Sequence, residues 1–322
     1  MRTGARGTGP LVSSVAVAVA LVTGPASAGS PALKGFLPPK PVSACGTLAG
    51  AGSFYFLTAN LGPVSANCLV VTAPHVTLNL EGHTITGIWT KSTSSGLPVA
   101  YPYEIGVLIE PTAVGTKVET TVPGAAVDNF TDGIVDQANR AVITGPGLLV
   151  DDNAGFGVSL HDATGSVVRK LVIDDSNGAG IGLQLSTGAI LRGNMIGSAQ
   201  IYGIWDQAST GAQIVNNDVG ASGTAAIYLG CSDTADLQDL SCGSSSGSEI
   251  EHNDLLDNGD YGIAIADENL DNSVQGNTVA GDKTYDLEDE NAGCEGGVTP
   301  PGNSWSDNTG TANQTTSSSC IG

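Results

Sequence analysis

Positive charge is scarce in this chain of 322 residues. Its 11 Lys and Arg face 32 Asp and Glu, which gives a formal net charge of −21. A chain this acidic repels phosphate backbones and anionic lipid headgroups, so nucleic acid and anionic membranes are excluded as expected partners. The same charge disfavours a polyanionic substrate unless a metal ion mediates its binding.

Several enzyme signatures are also absent from the sequence. It contains no Ser-His-Asp elbow, no phosphate-binding Gly loop and no zinc-ligand spacing, and its four His are scattered. Beyond the first 28 residues, no apolar run reaches the roughly 20 residues that a membrane span requires. The sequence therefore predicts no membrane span and no familiar catalytic motif.

The first 28 residues have the features of a secretory signal. Arg2 and Arg6 supply a positive start, residues 11–23 an apolar core, and Ala26-Ser27-Ala28 a cleavage site. Cleavage after Ala28 predicts a secreted, extracellular protein, which we expect to be monomeric. Residues 29–44 contain four prolines and are interpreted as a linker.

A short apolar pattern recurs at a fixed step in the second half of the chain. Copies at residues 156–160, 179–183, 202–206 and 225–229 follow one another at 23 residues, and copies at 261–265 and 285–287 follow after 36 and 24. A second column keeps the same step, with Asn194, Asn217, Asn253 and Asn277. A fixed period of this kind indicates a repeat architecture.

Each repeat is too short for two helices, and its apolar residues lie two positions apart, as in a β-strand. One turn of a parallel β-coil fits this length. The recurring Asn suits a bend position that tolerates left-handed backbone geometry, and stacked Asn amides can bond to one another along the coil. We therefore predict an all-β chain in which each copy of the pattern forms one rung.

At these residues the chain resembles the right-handed parallel β-helix proteins of the pectin-lyase-like superfold, and most of all the secreted NosD-like and C5-epimerase-like branch. The resemblance covers residues 45–322 and implies a single solenoid domain with rungs of about 23 residues and a C-terminal cap. This fold hosts lyases, hydrolases, epimerases, adhesins and non-catalytic binders, so it does not fix the function.

Six cysteines in an exported chain predict disulfides. Their connectivity is open, but proximity in the sequence favours Cys45–Cys68 at the entry to the coil and Cys231–Cys242 across an insertion. The remaining pair, Cys294–Cys320, would pin the C-terminal cap.

A sugar-binding surface is predicted on the outside of the coil. If the apolar residues of each copy point inward, Trp205 and Tyr228 point outward on successive rungs, with His161, Gln184 and Gln207 beside them. Aromatic rings stack on pyranose C–H faces, and neutral polar groups bond to sugar hydroxyls. The alternative is that the two aromatic side chains pack under the insertion at 231–242.

Catalytic candidates follow from breaks in the columns. Asp206 interrupts an apolar column and is either hydrogen-bonded in the core or turned toward a surface site. Asp206 or His161 would be the acid or base, with Arg192 as the partner of a substrate carboxylate. Lys170 is the fourth candidate, since pectate lyases of this fold use Arg or Lys as the base beside calcium-binding acids.

The same resemblance implies a possible calcium site. Asp151 and Asp152 lie 23 residues before Asp174 and Asp175, and stacked carboxylates are suitable Ca²⁺ ligands. The alternative is a solvated turn whose charges are balanced by the nearby cations.

Two classes of function remain after these arguments. One is a polysaccharide lyase or uronate C5-epimerase that acts on an extracellular polysaccharide. The other is a non-catalytic β-helix that binds a glycan or a surface, or that serves a structural role.

Overall fold

The computed structural model describes residues 37–89, 103–231, 243–291, 302–310 and 321. These residues form strands without a helix, so no segment among them is a helix able to cross a membrane. The strands, in chain order, are Lys40–Val42 (β1), Gly46–Leu48 (β2), Phe54–Leu57 (β3), Leu61–Val64 (β4), Leu69–Val71 (β5), Thr77–Asn79 (β6), Thr84–Gly87 (β7), Ile105–Ile109 (β8), Lys117–Glu119 (β9), Ala126–Asp128 (β10), Asp132–Asp136 (β11), Val142–Asp151 (β12), Val158–His161 (β13), Val167–Ile173 (β14), Ala179–Gln184 (β15), Ile190–Arg192 (β16), Met195–Gly197 (β17), Tyr202–Gln207 (β18), Gln213–Val215 (β19), Asp218–Gly220 (β20), Ala225–Leu229 (β21), Glu249–Glu251 (β22), Asp254–Leu256 (β23), Tyr261–Ile265 (β24), Ser273–Gln275 (β25), Thr278–Ala280 (β26), Tyr285–Asp289 (β27) and Ser304–Ser306 (β28).

All of these strands pair in parallel, as one coil with three faces. The first face is a ten-stranded sheet in the order β2-β5-β8-β11-β13-β15-β18-β21-β24-β27. The other two faces are ladders of an 18-stranded sheet that merge where the longer strands β12 and β14 continue from one face to the next. The predicted parallel β-helix is confirmed.

The core lies inside the coil, and the predicted repeats stack in register. Val158 pairs with Ile181, and the column continues through Ile204, Ile227, Ile263 and Leu287, which are all buried. Burial of each such side chain contributes roughly 1.5–3 kcal/mol. The 23-residue step thus places one aliphatic residue above the next.

The recurring asparagines form a buried ladder at one bend. The Nδ2 of Asn217 donates to Leu191 O at 3.0 Å and to Asn253 Oδ1 at 3.0 Å. Its Oδ1 accepts from both the backbone N and the Nδ2 of Asn194, at 3.1 and 3.0 Å. The ladder continues through Asn277 and ends at Asn308. The predicted stacking of the amides is confirmed.

The predicted backbone geometry of these asparagines is wrong. The left-handed conformation belongs to the preceding residue on each rung: Gly193 (φ 63°), Asn216 (φ 54°), His252 (φ 54°) and Gly276 (φ 64°). The reason is that the ladder Asn turns its side chain into the coil, so the residue before it makes the turn.

A column of glycines precedes the inward aliphatic residues of the first face because space there is limited. A Cβ on Gly180 would lie 2.4 Å from Ile196 Cγ2, and one on Gly203 would lie 2.3 Å from Val219 Cγ1. On the next strand, β21, the residue equivalent to Gly203 is Ala226. The core residue of that rung equivalent to Val219 is Leu255. Glycine therefore occurs where the facing core residue is β-branched, and alanine is tolerated where that facing residue is Leu.

We expect Gly180→Ala to lower the free energy of unfolding by about 1–3 kcal/mol through overpacking. Adding Ile196→Leu should restore part of the loss by reproducing the Ala226 and Leu255 pair. Urea unfolding followed by circular dichroism measures both effects. Gly46→Ala is the matched control, since no atom lies within 4 Å of its Cβ position. Equal stability of Gly180→Ala and Gly46→Ala would contradict the packing argument.

The entry to the coil differs slightly from the prediction. Strand β1 pairs with β3, so the coil begins at Lys40 rather than Cys45, and the end of the predicted linker belongs to the first rung. The Cys45–Cys68 disulfide is confirmed. Cys231 is disulfide-bonded, but the expected partner Cys242, the predicted pair Cys294–Cys320 and the predicted signal at 1–28 lie outside the described residues.

Candidate functional site

The outer face of the ten-stranded sheet carries a continuous group of aromatic rings, which we call the aromatic band: Phe156, Tyr202, Trp205, Tyr228 and Tyr261. Phe156 and Trp205 stack with ring centroids 5.9 Å apart, and Tyr202 and Tyr228 stack at 4.6 Å. Small residues alternate with the rings along this face, and the Phe156 ring occupies the space beside Gly182. The band therefore fills its own gaps and forms one continuous apolar cluster.

Trp205 points outward as predicted, but its predicted exposure is wrong. Its side chain is 0% exposed, and its ring stacks against both Phe156 and Tyr202. Its indole N–H donates to Gly230 O at 2.8 Å. The ring has no free face for a sugar and supports the rest of the band. Tyr228 remains half-buried, with its hydroxyl donating to Cys231 O at 3.1 Å. The alternative prediction, that Trp205 and Tyr228 pack under the insertion at 231–242, falls mostly on residues outside the described ones.

The predicted polar column lies beside the band, with His161 paired to Gln184 and Gln184 to Gln207. The side chains of Gln184 (9% exposed) and Gln207 (2% exposed) are buried, contrary to the surface role predicted for them. His161 lines an open hollow of about 440 Å³ together with Pro111, Gln137, Asn139 and Asp162. The Nδ1 of His161 lies 3.4 Å from Asp162 Oδ2.

An exposed ring stands at the start of the band. Tyr103 is 63% exposed, yet its hydroxyl donates to Oδ2 of the buried Asp132. The Oδ1 of Asp132 accepts from the backbone N of Phe156 at 2.8 Å, which links this pair to the band. Burial raises the pKa of Asp132 to about 6, and burial of the hydroxyl end beside that carboxyl raises the pKa of Tyr103. The hydroxyl of Tyr103 is thus held in place while most of the side chain stays exposed.

Asp206 lies inside the coil. Of the two predicted positions, hydrogen-bonded in the core or turned toward the surface, the structure shows the first. Ser245 Oγ donates to its Oδ1 at 3.0 Å and Ser248 Oγ to its Oδ2 at 3.1 Å. Burial raises the pKa of Asp206 to about 6. A carboxyl that is 0% exposed does not reach a ligand on the surface, so its geometry favours a structural role.

The four predicted catalytic residues are not brought together. His161 is on the outer face of the ten-stranded sheet and Asp206 is in the core, whereas Arg192 lies on β16 of the other sheet. Lys170 is exposed at a bend within β14. A base and the partner of a substrate carboxylate must contact the same sugar, and these side chains lie on different faces.

Three of the four predicted metal ligands lie together. Oxygen atoms of Asp151, Asp152 and Asp175 are within 4.8 Å of one another, and Asp174 follows Asp151 in the same column. Burial, followed by the charge of Asp152, raises the pKa of Asp151 to about 6. Such acidic groups are common at protein surfaces without an ion, so the calcium assignment stays a prediction.

Sequence reasoning missed Tyr103, Asp132, Gln137 and Asn139. One signal was available for Asp132, because it occupies the position equivalent to Phe156 on the preceding rung. Nothing in the sequence indicated that Tyr103 bonds to Asp132, because Tyr103 lies in an insertion outside the regular repeat.

Comparison with known families matches residues 90–317 to the sequence model of NosD, described as a periplasmic copper-binding protein. The match covers well over half of the chain. No curated protein sequence matches the chain.

Solved structures with the same fold include the Dettilon tailspike protein, with 18% identity and a TM-score of 0.57 over 75% of this chain and 47% of that one. The enzymatically active domain of bacteriophage CBA120 tailspike protein 2 has 12% identity and a TM-score of 0.50, over 85% and 41%. Endopolygalacturonase I from Stereum purpureum, complexed with two galacturonate, has 12% identity and a TM-score of 0.50, over 84% and 92%. The chain thus spans less than half of either tailspike structure, and the likeness concerns the fold alone.

Proposed function

The chain belongs to the NosD family, and we propose that it is an exported β-helix protein that binds an extended polysaccharide along its aromatic band. The observation that carries the proposal is Tyr103, an exposed ring fixed by a hydrogen bond to buried Asp132 at the start of the band. A ring that is already held in place loses little conformational entropy when a sugar stacks on it. The periplasmic description of the family agrees with the predicted export signal.

The length of the outer face of the ten-stranded sheet suits a chain of several sugars rather than a single sugar. From Asp132 on β11, which holds Tyr103, to Tyr261 on β24, at the end of the band, the outer face crosses five successive strand pairings. At about 4.8 Å for each pairing this is about 24 Å along the axis of the coil. The half-buried rings of Phe156, Tyr228 and Tyr261 continue the apolar surface from Tyr103. The net charge of −21 favours a neutral polysaccharide over a polyanion.

Binding is favoured over processing because the candidate catalytic residues lie on different faces. Lyase or epimerase chemistry is the second candidate, and the hollow at His161 is what favours it. His161 with Asp162 beside it supplies a possible base on the same outer face as the band. The carbohydrate named in the endopolygalacturonase structure agrees with a sugar ligand for this fold, although that likeness shows the fold alone.

The described residues do not fit the copper ion in the family's description. Copper sites in proteins use imidazole, thiolate or thioether ligands. Among the described residues, the one group of at least three possible ligands is Asp151, Asp152 and Asp175, which contains neither His nor Cys. Carboxylates suit calcium better, so the proposal includes no copper, and calcium remains the predicted ion.

Replacing Tyr103 by alanine should weaken polysaccharide binding fivefold to tenfold, because a stacking ring contributes on the order of 1 kcal/mol. Tyr103→Phe keeps the ring but loses its bond to Asp132, so an intermediate loss is expected. Affinity electrophoresis in gels containing a neutral polysaccharide, and in gels containing polygalacturonate, measures both. Met195→Ala is the control, since Met195 is 55% exposed on a strand of the other sheet.

Two results would contradict the proposal: no retardation of the wild type by any polysaccharide tested, or equal retardation of wild type and Tyr103→Ala. The same polymers test processing. A lyase creates a C=C bond conjugated to the uronate carboxylate and raises ultraviolet absorbance, and an epimerase changes the uronate NMR signals. Binding with neither change excludes both lyase and epimerase activity on these polymers.

A further inference from the structure

Two arginines occupy matching positions on neighbouring rungs, far from the aromatic band. Arg169 on β14 pairs with Arg192 on β16, and both side chains are exposed. Lys170 follows Arg169 and is also exposed. Like charges opposite each other on adjacent strands are destabilising. In a chain with only 11 Lys and Arg, this arrangement of three cations stands out from its acidic surroundings.

No acidic side chain in the described part of the chain neutralises these cations. The ion pairs between described residues join Lys117 with Glu119 and His161 with Asp162. In the column of the two arginines, the neighbours are Thr144 on one side and Val215 on the other.

The nearest acids in that column are Glu119 and Glu251, each two rungs from an arginine. Two rungs are about 10 Å, which is close to the Debye length at physiological ionic strength. Glu119 is moreover already paired with Lys117. Neither acid in this column is therefore close enough to form an ion pair with the arginines.

The surface next to the cations is open. Gly193 follows Arg192, and the atom nearest to its Cβ position is Asn216 O at 4.0 Å. Gly147, in the irregular part of β12 beside β14, has no atom within 4 Å of its Cβ position. The backbone at these two glycines thus leaves open space beside the strands that carry the cations.

We propose that Arg169, Lys170 and Arg192 bind one compact oxyanion: a phosphate, sulfate or carboxylate group. A guanidinium donates two parallel N–H bonds to such a group, and Lys adds a point charge. Two guanidinium groups on rungs about 4.8 Å apart can share its oxygen atoms. The occupant is a single group rather than a long polyanion, because the aspartates at 174 and 175 lie just beyond the end of β14 and repel further negative charge.

The test is an NMR titration of the wild-type protein with inorganic phosphate and with inorganic sulfate, in which the arginine Nε–Hε signals are followed. Sodium chloride at equal ionic strength serves as the reference. We expect saturable shifts at two arginine signals, a dissociation constant at least fivefold weaker in Arg169→Gln or Arg192→Gln, and no saturation in the double variant. Arg140→Gln removes the same charge from an exposed position outside this column and should bind like the wild type.

A sulfated oligosaccharide and its desulfated form distinguish a substituent on a larger molecule from a free anion. Tighter binding of the sulfated sugar than of inorganic sulfate identifies a substituent, and equal or weaker binding identifies the free anion. Shifts that follow ionic strength alone, or saturable phosphate binding that survives in the folded double variant, would overturn the proposal. Circular dichroism confirms folding, and exposure of both arginines predicts that the variants fold.

Discussion

Replacing Asn217 by alanine is expected to lower the free energy of unfolding by roughly 2 to 6 kcal/mol, at about 1–3 kcal/mol for each of the two buried groups left unsatisfied. The substitution removes four hydrogen bonds of 3.0–3.1 Å at once. It leaves the backbone N of Asn194 and Leu191 O without these partners, whereas the Nδ2 of Asn194 keeps its bond to Val168 O. The cavity of the missing amide adds to the loss, because the ladder lies inside the coil.

Urea unfolding followed by circular dichroism measures this effect, with Asn216→Gly as the matched control. Asn216 is exposed and left-handed, and the equivalent positions on other rungs are Gly193 and Gly276. Glycine therefore suits the backbone there, and the control should change stability little. A loss in Asn217→Ala no larger than in Asn216→Gly would show that the ladder does not hold the rungs together.

Acidification from pH 8 to pH 5 is expected to stabilise the protein. Burial raises the pKa values of Asp132, Asp136 and Asp206 to about 6, above the roughly 3.9 of an unfolded Asp. The folded state holds these protons more tightly, so their stabilisation is complete below about pH 4 and is lost as pH rises through about 6. Each group should contribute roughly 1 to 2 kcal/mol over this interval, or roughly 3 to 6 kcal/mol together.

The variant Asp206→Asn separates this local effect from the general relief of charge repulsion. It keeps an oxygen and a nitrogen for the hydroxyls of Ser245 and Ser248 but does not titrate. We expect the difference in unfolding free energy between pH 5 and pH 8 to shrink by roughly 1 to 2 kcal/mol. Asp218→Asn removes an equal but exposed charge and should leave the difference nearly unchanged. A wild type more stable at pH 8 than at pH 5 would contradict the prediction.

The coil was predictable because its period survives insertions. Ile181, Ile204 and Ile227 stack as the 23-residue step requires, and Ile263 keeps the register although 36 residues separate it from Ile227. Because equivalent residues on adjacent rungs pair in parallel, residues one period apart in the sequence contact each other. The same logic placed Asn194 above Asn217.

Exposure was less predictable than direction. Alternation correctly predicted that Trp205 points outward, but its side chain is completely buried and stacks on a neighbouring ring of the same face. Alternation indicates which side of a sheet a residue faces, and only the packing of neighbouring rungs determines whether that side is covered. The left-handed backbone geometry was assigned to Asn217, but Asn216 adopts it. Two neighbouring Asn residues suit such a bend equally well, and the sequence does not tell which of them makes the turn.

The pair of Tyr103 and Asp132 could not be predicted from the repeat. Tyr103 lies in an insertion that interrupts the period, so no column assigns it a neighbour. Its bond to Asp132 joins residues 29 positions apart, whereas the regular repeats are 23 apart. The residue that supports the proposed site most strongly is therefore the one for which the sequence pattern gives no position.

The most direct test of the proposed function is a crystal structure of this protein with a bound neutral oligosaccharide. The proposal predicts a chain lying along the axis of the coil on the outer face of the ten-stranded sheet. One sugar should stack on Tyr103, and later sugars should contact Phe156 and Tyr228, with Trp205 buried beneath them. An oligosaccharide bound on either face of the other sheet, with Tyr103 free of contact, would contradict it.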